Sequence, residues 1–175
     1  MRNQGKIFEE QLQKSVPEYA LLYRLHDSAQ SFGGSTKLRF SSKNPFDFLM
    51  WDSKRHILYA LEMKTVKGKS ITFERTENDH YEIHLHQING LNKWNAYDGI
   101  ECGFIIEFRG IEKTCYINIE DFNALIKEIP KKRFGIDDLD KYGIPYFIIP
   151  QKKLISRYRY DIESFLNSAD KLNKE

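Results

Sequence analysis

The sequence predicts an α/β fold in which a mixed β-sheet is flanked by helices. Apolar residues recur at helical spacing near the start of the chain and again after residue 87, whereas several shorter apolar runs are bounded by turn residues as strands are. The resulting order is helix, strand, hairpin of two strands, helix, strand, strand and helix. This order is typical of a single sheet covered by helices.

Length and composition limit the class of protein. A chain of 175 residues is enough for one domain with its own core, so we expect a single domain over 1–175. Hydrophobic residues at 41% and aromatic residues at 14% exclude general disorder. The net charge is only +2, so any basic surface must come from segregation of charge within the fold.

The cysteines and the terminus predict a cytoplasmic protein without a membrane segment. Cys102 and Cys115 fall in consecutive predicted strands without a CxxC motif, so we expect reduced, half-buried core residues. The first residues lack the apolar run of a signal peptide, and no apolar stretch has the length of a membrane span.

The first elements are a helix, a strand and a polar segment. Ile7, Phe8 and Leu12 give residues 4–15 the spacing of a helix, which Pro17 ends, and residues 19–25 form a strand. Serines and glycines then dominate residues 27–43, which carry Lys37 and Arg39. We expect this segment to be a flexible basic loop suited to phosphates.

The hairpin at 44–64 carries charges where buried strands avoid them. Asp47 interrupts the first strand, while Glu62 and Lys64 alternate with apolar residues in the second. The two-residue period of a strand puts Glu62 and Lys64 on one face, and strand pairing can bring Asp47 beside them. The arrangement fits a Mg²⁺ or Mn²⁺ site, and a structural ion pair at a sheet edge is the alternative.

Later segments offer further polar candidates. Lys67 and Lys69 flank Gly68 just past the hairpin and suit either a phosphate contact or a solvated turn. His80, His84 and His86 suggest a zinc site, but the spacing provides no fourth ligand.

Basic residues alternate with tyrosines over residues 152–160, which fits a nucleic-acid surface or an amphipathic edge strand. An amphipathic helix over 161–172 and a frayed terminus end the chain.

Several of these motifs together resemble one enzyme family. Pro45-x-Asp47 followed by Glu62-x-Lys64 resembles the PD-(D/E)XK nuclease signature, and the wider chain resembles RecU-type Holliday junction resolvases. Further blocks that resemble that family are Asn3-Gln4-Gly5-Lys6-Ile7-Phe8-Glu9-Glu10, His86-Gln87-Ile88 and Tyr158-Arg159-Tyr160-Asp161. The resemblance covers nearly the whole chain.

The resemblance implies a PD-(D/E)XK core that hydrolyses DNA phosphodiesters with Mg²⁺. Asp47 and Glu62 would hold the metal together with the Met63 backbone carbonyl, and Glu9 would add an oxygen directly or through water. Lys64 would position the attacking water. Gln87 would support the site from the start of a helix, with His86 capping or packing there. The residues expected to contact DNA are Lys6, Lys37, Arg39, Lys67, Lys69, Arg157 and Arg159.

The implied substrate is a four-way junction, cut symmetrically by a homodimer in recombination and repair. The segment at 27–43 is shorter than the stalk of RecU proteins, so two alternatives remain open. One is a PD-(D/E)XK endonuclease of the restriction or general repair type. The other is an architectural junction-binding protein with weak cleavage. Asp52 and Glu74 are left outside the proposed metal site.

Overall fold

A computed structural model describes residues 3–25, 29–30, 39–40, 44–155 and 157–172. Across those ranges the helices are α1 (Gln4–Gln13), α2 (Leu85–Asn95), α3 (Ile119–Glu128), α4 (Ile136–Tyr142) and α5 (Ile162–Leu172). The strands are β1 (Ala20–Arg24), β2 (Ala29–Gln30), β3 (Arg39–Phe40), β4 (Phe48–Asp52), β5 (Ile57–Val66), β6 (Ile71–Thr72), β7 (Ile100–Phe108), β8 (Lys113–Asn118), β9 (Arg133–Phe134), β10 (Phe147–Ile149), β11 (Gln151–Lys153) and β12 (Tyr158–Tyr160).

A mixed sheet forms the centre of the molecule. Within the described part of the chain it has six strands in the order β1-β4-β5-β7-β8-β10. β5 and β7 are parallel, and the other neighbouring pairs are antiparallel. α2 lies on the crossover from β5 to β7, as parallel neighbours require. The predicted α/β class, with a mixed sheet flanked by helices, is confirmed.

Each face of the sheet is covered by its own apolar cluster. Ala60 and Val66 of β5 face the cluster that includes residues of α2, α3 and α4. Tyr59, Leu61 and Met63 face the opposite cluster, which includes residues of α1 and α5. β5 is thus buried on both faces, as a central strand with a parallel neighbour usually is.

α2 packs against the segment that precedes β4. Gly90 lies against Pro45, where a β-carbon would come 2.8 Å from the Pro45 carbonyl oxygen. One turn later, Trp94 packs edge-on against Phe46 with 5.0 Å between the ring centroids. These contacts hold the middle and the end of α2 against the segment that leads into Asp47.

The segment predicted as a loop over 27–43 contains paired backbone. β2 and β3 form an antiparallel pair in which Ala29 faces Phe40 and Gln30 faces Arg39. Lys37 and the other residues between these two strands lie outside the described residues. The loop prediction was therefore wrong at both short strands.

The prediction also missed elements near the end of the chain. α4 and β10 were not predicted, although β10 completes the sheet beside β8. The stretch over 152–160 is not one edge strand, because β11 and β12 pair with each other as a separate hairpin. α5 is close to the helix predicted over 161–172, and residues 173–175 lie outside the described residues.

Both cysteines are free and fully buried rather than half-buried. Burial raises the pKa of each thiol to about 12, with Glu101 adding to the rise at Cys102. Such thiols stay protonated and unreactive, in agreement with a packing role. Of the helices in the described ranges, none has both the length and the apolar character needed to cross a membrane.

Candidate active site

Glu62 occupies a position on β5 where a core residue would be expected. Ala60 and Val66 belong to the apolar cluster on one face, and Glu62 lies between them in the two-residue period of the strand. Its side chain is only 1% exposed. An ionisable group so deeply buried needs partners, since its charged form is costly in an apolar environment.

The hairpin register places Asp47 opposite Glu62. Phe48 of β4 faces Leu61 of β5, so Asp47, one residue earlier, lies across from Glu62. The Asp47 backbone carbonyl accepts a hydrogen bond from the Leu25 N–H at 2.8 Å, which ties this residue to the end of β1. The Asp47 carboxylate acts electrostatically on Glu62 and raises the pKa of Glu62. The predicted convergence of Asp47 with Glu62 is thereby seen in the geometry.

Lys64 and Gln87 both hold the same oxygen of Glu62. Lys64 Nζ lies 2.8 Å from Glu62 Oε1, as expected for residues two apart on one strand face. Gln87 Nε2 donates to Glu62 Oε1 at 2.5 Å. The second oxygen, Oε2, is buried and receives no hydrogen bond from the described residues. Glu62 therefore presents one satisfied oxygen and one oxygen open to a further ligand.

The pKa of Glu62 reflects these surroundings. Burial raises it to about 8, the Lys64 ammonium opposes the rise, and the Asp47 carboxylate adds to it. Near neutral pH, protonation of Glu62 therefore relieves its repulsion with Asp47. A divalent cation would relieve the same repulsion and would also satisfy Oε2.

Gln87 owes its position to the start of α2. The His84 backbone N–H donates to Gln87 Oε1 at 3.0 Å, so the amide oxygen is engaged and the amide nitrogen points toward Glu62. Gln87 therefore holds the Glu62 carboxylate from the start of α2. The residue at the N-cap is His84, so of the two roles expected for His86, capping or packing, the structure shows packing. The ring of His86 stacks on that of His84 at 5.5 Å.

Glu74, which sequence reasoning left out, orders the same helix start. Glu74 Oε2 accepts from the Leu85 N–H at 2.7 Å, while Oε1 accepts from the Tyr81 N–H at 3.3 Å and lies 2.8 Å from His84 Nδ1. Burial opposes ionisation of Glu74, but these hydrogen bonds outweigh it and lower its pKa. A negative charge at a helix N-terminus is also favourable electrostatically. Glu74 thus stabilises the element that carries Gln87.

Glu9 approaches the site from α1 but is already paired. Its Oε2 lies 3.0 Å from Arg24 Nε, an ion pair that sequence reasoning missed. Burial raises the pKa of Glu9, Arg24 opposes this, and Asp47 adds to the rise, so Glu9 lies within electrostatic range of Asp47. In this arrangement the Glu9 carboxylate is paired with Arg24 and interacts with Asp47 only electrostatically.

The residues present fit a metal ion with few protein ligands. No group of three or more His, Cys, Asp or Glu side chains in the described ranges is arranged to hold a metal. Asp47 and Glu62 alone remain, and Met63 could add only its backbone carbonyl because its side chain is buried in the opposite cluster. Mg²⁺ commonly keeps several waters and binds through one or two carboxylates, so two are sufficient. The carboxylate repulsion and the unsatisfied Oε2 favour such an ion.

Asp52, the other acid left outside the site, has a structural role. It is fully buried at the end of β4, and its Oδ2 lies 2.8 Å from Arg55 Nη1. Its Oδ1 accepts from the Lys54 N–H at 2.9 Å. Asp52 therefore closes the turn of the hairpin rather than contributing to the carboxyl pair.

The residues predicted to contact DNA fall on separate surfaces. Lys6 is exposed on α1 and acts electrostatically on Glu9, so it lies near the carboxyl pair. Lys67 and Lys69 are exposed in the turn after β5, whose last residue lies about 13 Å from Glu62 along the strand. Arg157 and Arg159 are exposed on the β11–β12 hairpin. Arg39 lies in β3, and Lys37 lies outside the described residues.

Comparison with known proteins gives a relative for most of the chain. No model of a protein family matches the sequence. The SPbeta prophage-derived uncharacterized protein YotM of Bacillus subtilis (strain 168) is 33% identical over 153 residues, which cover 83% of this chain and 72% of that protein. The chain therefore belongs to the same protein family as YotM.

Proposed function

We propose that this protein is a metal-dependent DNA endonuclease with a PD-(D/E)XK core, of the type that resolves Holliday junctions. The observation that carries the proposal is the buried Glu62. Its Oε2 lacks a hydrogen-bond donor in the described part of the chain, and its carboxyl group faces that of Asp47 across the hairpin. A buried carboxylate with an open oxygen, beside the half-buried carboxylate of Asp47, is poorly explained as structural and well explained as a metal ligand.

The chain's own residues have distinct roles in this proposal. Asp47 and Glu62 hold the metal together with the Met63 carbonyl, and Glu9 adds an oxygen directly or through water once Arg24 releases it. Bound there, Mg²⁺, or Mn²⁺ in its place, supplies a Lewis acid that stabilises charge on the scissile phosphate. Lys64 orients the attacking water and stabilises negative charge near the phosphate. Gln87 donates a hydrogen bond to Glu62 Oε1 and fixes that oxygen, so that Oε2 is the oxygen that binds the metal.

The ion-pair alternative accounts for less of the geometry. A structural pair between Lys64 and Glu62 explains the 2.8 Å contact at Oε1. It does not explain why Asp47 adds a second carboxylate that raises the pKa of Glu62. Burying like charges together lowers stability unless a cation or a proton joins them. The carboxyl pair therefore favours a metal site over an edge ion pair.

The proposed substrate is a four-way DNA junction, cut in recombination and repair. Support comes from the motifs that resemble those of RecU-type resolvases and from exposed cations at Lys6, near Glu9, and at Lys67 and Lys69, just beyond the end of β5. The prophage origin of the relative in Bacillus accords with a resolvase encoded by a mobile element. The competing proposal is a PD-(D/E)XK endonuclease that acts on another DNA substrate, of the restriction or general repair type.

Symmetric resolution calls for a homodimer, and one sheet face offers an apolar surface for it. Leu21 of β1 and Trp51 of β4 are register partners and point to the same side of the sheet. Leu21 is 64% exposed, and Tyr23, two residues along β1, is 57% exposed. Such a patch on an edge strand is suited to protein contact. Light scattering should give twice the chain mass, and Leu21→Lys should reduce it to one chain.

Cleavage of a labelled four-way junction in competition with linear duplex tests the substrate. With Mg²⁺ and enough salt to suppress non-specific phosphate binding, the junction should receive paired symmetric nicks while the duplex stays intact. Equal cleavage of both would assign the site to a general endonuclease. Tight junction binding with no cleavage in Mg²⁺ or Mn²⁺ would leave only the architectural role.

A further inference from the structure

The β11–β12 hairpin ends in an apolar residue with no packing role in the described structure. Ile155 follows Leu154 in the turn and is fully exposed, more so than the other exposed large hydrophobic residues of the described ranges. The turn is closed by a hydrogen bond from the Leu154 N–H to the Arg157 carbonyl at 2.7 Å. Turns are normally built from glycine, proline, asparagine, aspartate or serine, so an isoleucine at position 155 has no conformational reason.

Positive charge surrounds this tip. Lys152, Lys153, Arg157 and Arg159 are all exposed on the two strands, and Lys152 and Arg159 are register partners. Lys153 is engaged by Glu112 at 2.8 Å. The other three form no ion pair within the described part of the chain, so their charge is available to phosphates.

The hairpin is held rigidly against α1 and the sheet. The Tyr158 N–H donates to Gln11 Oε1 at 3.0 Å, and the Tyr160 N–H donates to Ser15 Oγ at 3.1 Å. Tyr160 Oη donates to Glu107 Oε1 at 2.9 Å, and Tyr160 packs edge-on against Phe8. An element that separates stacked bases must resist the force needed to part them, and this network provides that support.

The base of the hairpin is linked to β5 beside Lys64, on the opposite face of the sheet from Glu62. Glu107, which holds Tyr160, also accepts from Thr65 Oγ1 at 2.5 Å, and Thr65 directly follows Lys64. Gln4 and Ile7 of α1 line a cavity of about 360 Å³ together with Ile155, whereas Glu9 lies on another face of that helix. The tip and Glu9 therefore lie on different sides of α1, which is about 10 Å across.

We propose that Ile155 is a wedge that inserts into the base stack of bound DNA, while the cations of the hairpin hold the neighbouring phosphates. Apolar side chains on basic elements unstack DNA in this way, most easily at steps that are already flexible or branched. The proposal rests on the proposed function, because it requires the chain to bind DNA. It extends that function by naming the distorted or branched point of the duplex as the feature that the hairpin recognises.

Fluorescence of 2-aminopurine placed at successive positions around a four-way junction tests the wedge. The measurement is made in the Asp47→Asn background, in which the DNA should stay intact. Fluorescence anisotropy confirms that the DNA is saturated with protein, so that differences in affinity between variants do not change the signal. We expect a several-fold rise in fluorescence at one position, which is lost in Asp47→Asn/Ile155→Ala and retained in Asp47→Asn/Ile155→Leu. Tyr97→Ala is the matched control, because Tyr97 is an exposed apolar residue just before β7, at the other end of that strand from the hairpin.

The possible outcomes separate the wedge from the nuclease. A fluorescence rise that survives Ile155→Ala, or no rise at saturation, would overturn the wedge. A changed molecular mass in Ile155→Ala with unchanged fluorescence would assign Ile155 to a protein contact and also overturn it. Absence of DNA binding would overturn both proposals. An Ile155-dependent rise in a chain whose wild type never cleaves DNA would support the wedge and contradict the nuclease.

Discussion

Gly90 of α2 lies directly against Pro45, and this contact joins the helix that carries Gln87 to the segment that carries Asp47. A β-carbon at residue 90 would lie 2.8 Å from the Pro45 carbonyl oxygen and 2.9 Å from Pro45 Cα, closer than side chains approach. The relative position of Gln87 and Asp47 therefore depends on a residue that has no side chain. Gly90 thus helps to assemble the site without being part of it.

Replacing Gly90 with alanine should lower stability, although alanine is the better helix former. The gain in helix propensity is about 1 kcal/mol, whereas overpacking against Pro45 costs about 1–3 kcal/mol and displaces α2. Urea unfolding should show a net loss, and cleavage activity should fall because Gln87 moves away from Glu62. Gly68→Ala is the control, since a β-carbon there would lie 3.9 Å from the Ser70 nitrogen. A Gly90→Ala protein of raised stability and full activity would refute this role for the contact.

Removing the Gln87 side chain should weaken metal binding more than it weakens the fold. Gln87→Ala takes one donor from Glu62 Oε1 and leaves the His84 N–H without its acceptor. We expect metal affinity to fall by about 10–100-fold, as is usual when a residue that orients a ligand is lost. Calorimetric titration with Mn²⁺ measures this, with Asn89→Ala on the exposed side of α2 as control. Equal affinities in Gln87→Ala and the wild type would mean that Gln87 serves only the helix.

Stability without metal should fall as the pH rises toward 8. The pKa of Glu62 is raised from 4.5 to about 8 in the folded chain, so the folded state holds a proton that the unfolded state has released between those values. Each pH unit in that window therefore costs up to about 1.4 kcal/mol of unfolding free energy. Urea titrations at pH 5.5, 6.5 and 7.5 in chelator should show this decline, and Glu62→Gln should flatten it. A wild-type profile as flat as that of the variant would mean that Glu62 is ionised without metal.

Metal binding should tighten over the same pH range. A cation at Asp47 and Glu62 displaces the proton that the pair holds, so affinity should rise by up to about tenfold per pH unit below pH 8. Calorimetry in two buffers of different ionisation enthalpy should report the release of nearly one proton at pH 7. Affinity that does not change with pH would place the metal away from Glu62.

The hairpin and its charges could be predicted from sequence because they depend on local geometry. Glu62 and Lys64 share a face through the two-residue period of a strand, and the short break between β4 and β5 fixes which residue faces Glu62. The ion pair of Glu9 with Arg24 could not be predicted, because it depends on how α1 packs against β1. No local pattern in the sequence encodes that packing.

The later elements were harder to predict for other physical reasons. β10 spans three residues between Pro145 and Pro150, too few to show a period. β11 and β12 looked like one strand because cations and apolar residues recur through residues 152–160, in which Ser156 is the only residue that favours a turn. The role of Glu74 at the start of α2 was also missed. A signal existed, since Glu74 is an acid not far ahead of a predicted helix, but the contact depends on the loop folding back.

The most direct test of the proposed site is Mg²⁺-dependent nicking of a four-way junction by the wild type, Asp47→Asn and Glu62→Gln at matched DNA occupancy. We predict nicking by the wild type that chelator abolishes. Each variant should lose several kcal/mol of transition-state stabilisation, about a thousandfold or more in rate, while still binding the junction. Nicking that persists in both variants, or that chelator does not affect, would contradict a metal-dependent site at Asp47 and Glu62.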